Sequence, residues 1–79
     1  MASKYAMSKW FANGAGHVVR FHNSDVLLFQ WNGRPAGSAR YVPHVKRYVR
    51  LQTEYPSLAA LLRAVEAEMV AESRRRAHD

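Results

Sequence analysis

Apolar residues recur along this chain with two different periods, and the change of period divides it. Leu58, Leu61, Leu62, Val65, Met69 and Val70 fall at i, i+3, i+4, i+7, i+11 and i+12. That spacing winds into a single stripe on an α-helix. Pro56 or Ser57 opens the helix, the proline because its missing N–H is no loss in a first turn, the serine because its hydroxyl can accept from an orphan donor. The helix is expected to run to about Ser73. Glu66, Glu68 and Glu72 lie off the stripe or at its margin, Glu72 can reach Arg76 one turn on, and Arg74-Arg75-Arg76 opposes the negative end of the helix dipole.

Earlier in the chain the period is two. Residues 17–22 alternate, with His17, Val19 and Phe21 on one face and Val18, Arg20 and His22 on the other. Residues 26–31 put Leu27, Phe29 and Trp31 together, opposite Val26, Leu28 and Gln30, and Asn23-Ser24-Asp25 is a polar turn between the two runs. Asn32-Gly33 is a hairpin signal, because a type I′ turn needs positive φ at both central positions. Residues 36–42 should therefore fold back on 26–31, with Pro35 and Gly37 placing them at an edge or a bulge. Residues 45–52 fit a strand, with Lys46, Tyr48, Arg50 and Gln52 on one face, and fit almost as well a helix opened by Pro43. Their β-branched content favours the strand. Residues 4–12 are taken as a further strand, though a helix fits as well, and Asn13-Gly14-Ala15-Gly16 ends the element either as a turn or as a helix stop.

The expected fold is α+β: an antiparallel sheet of three to five strands with one long C-terminal amphipathic helix packed on one face. The helix stripe should cover Leu27, Phe29 and Trp31. On this layout Arg20 and His22 point away from the Val19 and Phe21 side, with Lys46, Tyr48 and Arg50 on an exposed face and the helix over the other.

Size and composition set limits on this picture. A chain of 79 residues supports one domain, 1–79, and with no cysteine its core must come from packing, aided by any self-association through Met69, Val70 or a sheet edge. No apolar run approaches the roughly 18 residues of a membrane span and no signal peptide is evident, so the expected location is cytoplasmic and no membrane partner is expected.

Candidate chemistry is sparse. His17 and His22 lie an odd number of residues apart and point to opposite faces of a regular strand, while His44 and His78 have no cysteine or helix-spaced carboxylate beside them, so no metal site is expected. Asp25 is the one acid among the first 53 residues, leaving no carboxylate pair for hydrolysis there. Asn13-Gly14-Ala15-Gly16 lacks the Lys-Ser/Thr of a phosphate-binding loop and precedes a strand. Neither a catalytic residue nor a cofactor is expected, and the protein reads as a binder rather than an enzyme.

Charge says more. The net charge of +6 is concentrated before Glu54, where eight Lys or Arg meet one acid, while the remainder has four arginines against five acids. A one-sided positive field attracts polyanions or acidic protein surfaces. Bases also interleave with aromatics, as cations for phosphates and rings for bases do in nucleic-acid binders. The candidate contact residues are Arg20, Arg34, Arg40, Lys46, Arg47, Tyr48 and Arg50. The leading partner is nucleic acid or a nucleoprotein complex, and the alternative is an acidic protein surface.

The order of strands, an Asn-Gly turn in Trp31-Asn32-Gly33-Arg34, and then a long amphipathic helix over residues 18–72 resembles the small three-stranded DNA-binding domains at the front of some phage and transposon integrases. That resemblance implies a sheet that reads DNA. In its general profile of short chain, one charged face and no catalytic motif, the sequence also resembles small phage-encoded inhibitors, anti-CRISPR proteins among them. This implies a plug that blocks a nucleic-acid-processing complex by protein–protein binding.

Overall fold

Strands that follow one another through tight turns pair antiparallel, and here all of them do. The computed structural model describes residues 4–78; expectations that touch Met1, Ala2, Ser3, Asp79 or the side chain of His78 concern residues outside that set. The elements are β1 (Tyr5–Trp10), β2 (Gly16–Phe21), β3 (Val26–Trp31), β4 (Arg34–Val42), β5 (Arg47–Arg50), β6 (Thr53–Tyr55) and α1 (Leu58–His78). The strands form one six-stranded antiparallel sheet in the order β1-β2-β3-β4-β5-β6, and α1 packs across one face. This is the expected α+β class, with more strands than the three to five read from the sequence.

The turns explain the register. Asn32 and Gly33 have φ of 52° and 78°, the two positive values that a type I′ hairpin requires, and Trp31 pairs with Arg34 across them. In β4 the register shifts opposite Phe29 and Gln30, and Gly37 at φ 111° absorbs the resulting bulge. β4 is thus bulged, as Pro35 and Gly37 indicate, but it lies inside the sheet between β3 and β5 rather than at an edge. Residues 45–52 are not one strand. They divide into the end of a turn, then β5, then a two-residue turn at Leu51-Gln52 that leads into β6.

Directly paired residues share a face, so the register sorts the side chains. One lateral row runs Lys9, Val18, Phe29 and Gly37, a second runs Met7, Arg20, Leu27 and Ala39, and a third runs Tyr41, Tyr48 and Tyr55. These rows lie under α1. Val18, Leu27, Phe29 and Ala39 are buried with Phe11 and with Leu61, Leu62 and Val65 of the helix, and Trp31, Leu58 and Met69 pack at the margin. Phe11 meets Trp31 edge-on at 5.5 Å between ring centroids. Burying each large apolar side chain contributes about 1.5–3 kcal/mol, so this layer is the chief source of stability.

The helix begins where the sequence indicates. Ser57 is its cap: its Oγ accepts from the Ala60 N–H at 3.1 Å, and its carbonyl accepts from Leu61. The helix continues past Ser73 to His78, with Arg76 donating to Glu72 at 2.9 Å. Glu66 ties the β1–β2 loop down by accepting from the Asn13 N–H at 2.8 Å.

Candidate interface on the open sheet face

With α1 on one side, no element among the described residues covers the other side of the sheet. The register places there Tyr5, Ser8 and Trp10 from β1, and His17, Val19 and Phe21 from β2. Val26, Leu28 and Gln30 come from β3, Ser38, Arg40 and Val42 from β4, and Arg47 and Val49 from β5. Glu54 of β6 closes the row Val26, Arg40, Val49, Glu54.

This surface is unusually apolar for one that faces outward. Trp10 is 61% exposed, Phe21 40%, Leu28 39% and Val26 37%, while Val42 and Val49 are half-buried and Val19 is buried. Two ring pairs stand on it: Tyr5 against Phe21 at 5.1 Å, and Trp10 against His17 at 4.7 Å. Arg40 and Arg47 are exposed on the same face, and among the described residues neither forms a salt bridge. The acids nearby are Glu54 at the β6 edge and Asp25 in the turn before β3.

The seven candidate residues are not brought together. Arg40 and Arg47 lie on the open face, and Lys46 sits at its end, in the β4–β5 turn, with φ 54°. Arg34 faces the helix side. It lines a cleft of about 520 Å³ with Trp31, Met69, Glu72 and Arg76. Arg20 lies on the helix side as well, where its Nη1 donates to the Ser24 carbonyl at 2.9 Å. Tyr48 is half-buried against Tyr41 beneath the helix, with centroids 4.8 Å apart.

Two features of the expected layout are therefore corrected. Val18 and Arg20, not Val19 and Phe21, face the helix, and Tyr48 and Arg50 are on the covered side while Lys46 belongs to a turn. The reason lies in β2, where both alternate sets contain valine and alternation cannot choose a side. The choice comes from β3, because Val18 pairs with the core residue Phe29 while Val19 pairs with the outward Leu28.

Arg50 shows how a base is kept beside the core. Its guanidinium donates from Nη1 and Nη2 to the two carboxylate oxygens of Glu68 at 2.6 and 3.0 Å, joining β5 to α1. The Arg50 side chain is 11% exposed and that of Glu68 47%. The Arg50 hydrogen bonds, ahead of its charge, hold the Glu68 carboxyl below the usual carboxylate value against a smaller opposing effect of burial. A depressed carboxylate adds stability above its unfolded pKa, about 4.3, and that stability is lost as pH falls through the folded value. Because Glu68 is half in water, the pair is worth only about 1 kcal/mol. Arg50→Ala should lower the melting temperature by about 4–8 °C at pH 7. Melts at decreasing pH should show the gap between parent and variant closing below about pH 4. A gap of constant size down to pH 2 would mean that lost packing, not the ion pair, accounts for the difference.

Among the described residues no group of three or more histidines and carboxylates is placed to hold a metal, and no helix is long and apolar enough to cross a membrane. What the open face does offer is planar rings, aliphatic surface and two cations on a broad, shallow plane. Sequence reasoning named Trp10 as an aromatic anchor of a protein interface but did not place Phe21, Val26 and Leu28 on a contact surface, because exposed and buried apolar residues look alike in a sequence. A signal was nevertheless present: once Leu27 and Phe29 are assigned to the core, Val26 and Leu28 must face outward.

Comparison with protein-family models, with curated proteins and with solved structures gives no match. The class is thus defined by the fold itself, a six-stranded antiparallel meander followed by one packed helix. The three-stranded sheet that the resemblance to integrase domains implies is not found, since six strands precede the helix.

Proposed function

We propose that this protein is a non-catalytic binding module whose open sheet face engages nucleic acid, free or within a nucleoprotein complex. The observation that carries this reading is one uncovered surface presenting Trp10, His17 and Phe21 with the unpaired Arg40 and Arg47. Rings that accept bases and guanidiniums that accept phosphates are the two requirements of such a surface. Arg20 and Arg50 are excluded from it, since their guanidiniums are held by Ser24 and Glu68.

A second reading has its own support. Phe21, Val26, Leu28 and Val49 form an apolar centre flanked by arginines, a composition that also suits a protein interface, as an inhibitor docking on an acidic partner surface would use.

The test is binding measured across a salt series. With Arg40, Arg47 and Lys46 giving about three phosphate contacts, log K against log salt should have a slope of about −2 on a single strand and −2.7 on a duplex. Absence of binding to any nucleic acid at low salt, together with a lysate partner retained after nuclease treatment, would replace this reading with the second.

A further inference from the structure

Resting on the reading just given, we infer that the open face takes single-stranded rather than duplex nucleic acid. Bases stack on the Trp10–His17 and Tyr5–Phe21 pairs while the backbone runs toward Arg40 and Arg47.

The shape of the face is the first argument. Six strands spaced about 4.8 Å apart make a surface about 24 Å across, twice the roughly 12 Å width of the major groove. This face cannot enter a duplex and would rest on its phosphate ridges. Phe21, Val26 and Leu28 would then lie against charged, hydrated groups, where burying apolar surface gives nothing in return.

A single strand removes that conflict, because its bases are free to turn their π-faces onto rings and aliphatic side chains. The two ring pairs are four residues apart along β2, at Phe21 and His17, or about 13 Å at 3.3 Å per residue. They form separate platforms with Val19 and Leu28 between them. Phe21 on β2 and Arg40 on β4 are two strand spacings apart, about 10 Å, so a chain crossing the sheet can lay bases over rings and phosphates beside guanidiniums. The charges on the face favour an anion, since among the described residues Arg40, Arg47 and, at its end, Lys46 stand against two acids, Glu54 on the adjacent β6 and Asp25 in the turn beside Arg40.

The tryptophans supply the test. Trp10 stands on the open face and Trp31 packs against the core, so a Trp31→Phe variant of the full chain leaves Trp10 as the only indole. That variant is titrated at low salt with oligo(dT) and oligo(U) of about 12 nucleotides and with a duplex of the same length, a span within the range of about 4–16 nucleotides that such sites occupy. Binding to a single strand with quenching of Trp10 emission is the expected result. Trp10→Ala and Phe21→Ala should each weaken that binding by roughly 5- to 150-fold, equivalent to about 1–3 kcal/mol per stacked base. Trp10 is mostly exposed, so its variant should melt near the parent; Phe21 is partly covered and packed on Tyr5, so its variant should melt a few degrees lower, and circular dichroism verifies that both stay folded at the assay temperature. Equal or tighter binding to the duplex, or single-strand binding that leaves Trp10 emission unchanged, would overturn the inference while leaving a nucleic-acid binder. No binding to any of the three probes would overturn the reading beneath it as well.

Discussion

Replacing Gly16 by alanine is expected to unfold the protein or bring it close to unfolding. Gly16 opens β2, is buried, and pairs with Trp31 of β3. A Cβ at this position would lie 2.0 Å from the Gln30 carbonyl oxygen and 3.0 Å from the Trp31 Cα. Carbon and carbonyl oxygen approach to about 3.3 Å at their closest favourable contact, so the strands would have to part by more than 1 Å. Both neighbours are backbone, and no side chain can rotate away. Parting them also strains the Asn32 N–H to Ala15 carbonyl bond of 2.8 Å and the Phe11 N–H to Gly16 carbonyl bond of 2.9 Å, which hold the same corner. The cost should be at least about 3 kcal/mol, against the roughly 4–12 kcal/mol that holds a domain of this size together.

Gly14→Ala is the informative control. A Cβ there meets nothing within 4 Å, but the residue has φ of 72°. Its cost should be that of left-handed backbone alone, about 1–2 kcal/mol. Urea unfolding of both variants, with the slope checked for constancy, should rank Gly16→Ala well below Gly14→Ala. Equal costs at the two positions would show that backbone conformation, not the collision with Gln30, decides this corner.

The elements that announced themselves in the sequence are those whose physics is local. The helix is legible because its stripe repeats over several turns, and the β3–β4 hairpin because Asn32-Gly33 is the pair of residues best suited to positive φ. The β5–β6 turn is illegible for the opposite reason. Leu51 holds φ 56° and is 83% exposed, and nothing in a leucine indicates either. Without that turn, β6 merges into the run before the helix. The partner of Arg50 was equally hidden, since Glu68 lies 18 residues away and is reached only when α1 folds over β5. For the proposed surface, charge drew attention to the stretch of chain that carries Arg40 and Arg47 but could not separate the two faces of the sheet. Arg20 and Arg50 count toward a basic segment in the sequence, yet in the fold they serve the turn before β3 and the link to α1.

That separation of faces leads to the second large effect, which is on binding. Arg40→Glu with Arg47→Glu should abolish measurable association with single-stranded nucleic acid, a loss of at least about 100-fold, because two phosphate contacts become two like-charge repulsions on an uncovered plane. The alanine pair should be milder and more diagnostic, reducing the salt slope by about 1.4 as two contacts disappear. Net charge alone would also predict weaker binding, so the decisive comparison holds it fixed. Arg34→Glu changes the total charge as much as Arg40→Glu does, but Arg34 lines the cleft beside Met69, Glu72 and Arg76 on the helix side. If the open face is the contact surface, Arg40→Glu should weaken binding by roughly 10-fold or more, as loss of a close charge contact does, and Arg34→Glu should act only through the screened long-range field. Matched losses in the two single variants at physiological salt would place the interaction in diffuse positive charge and remove the sheet face from the mechanism.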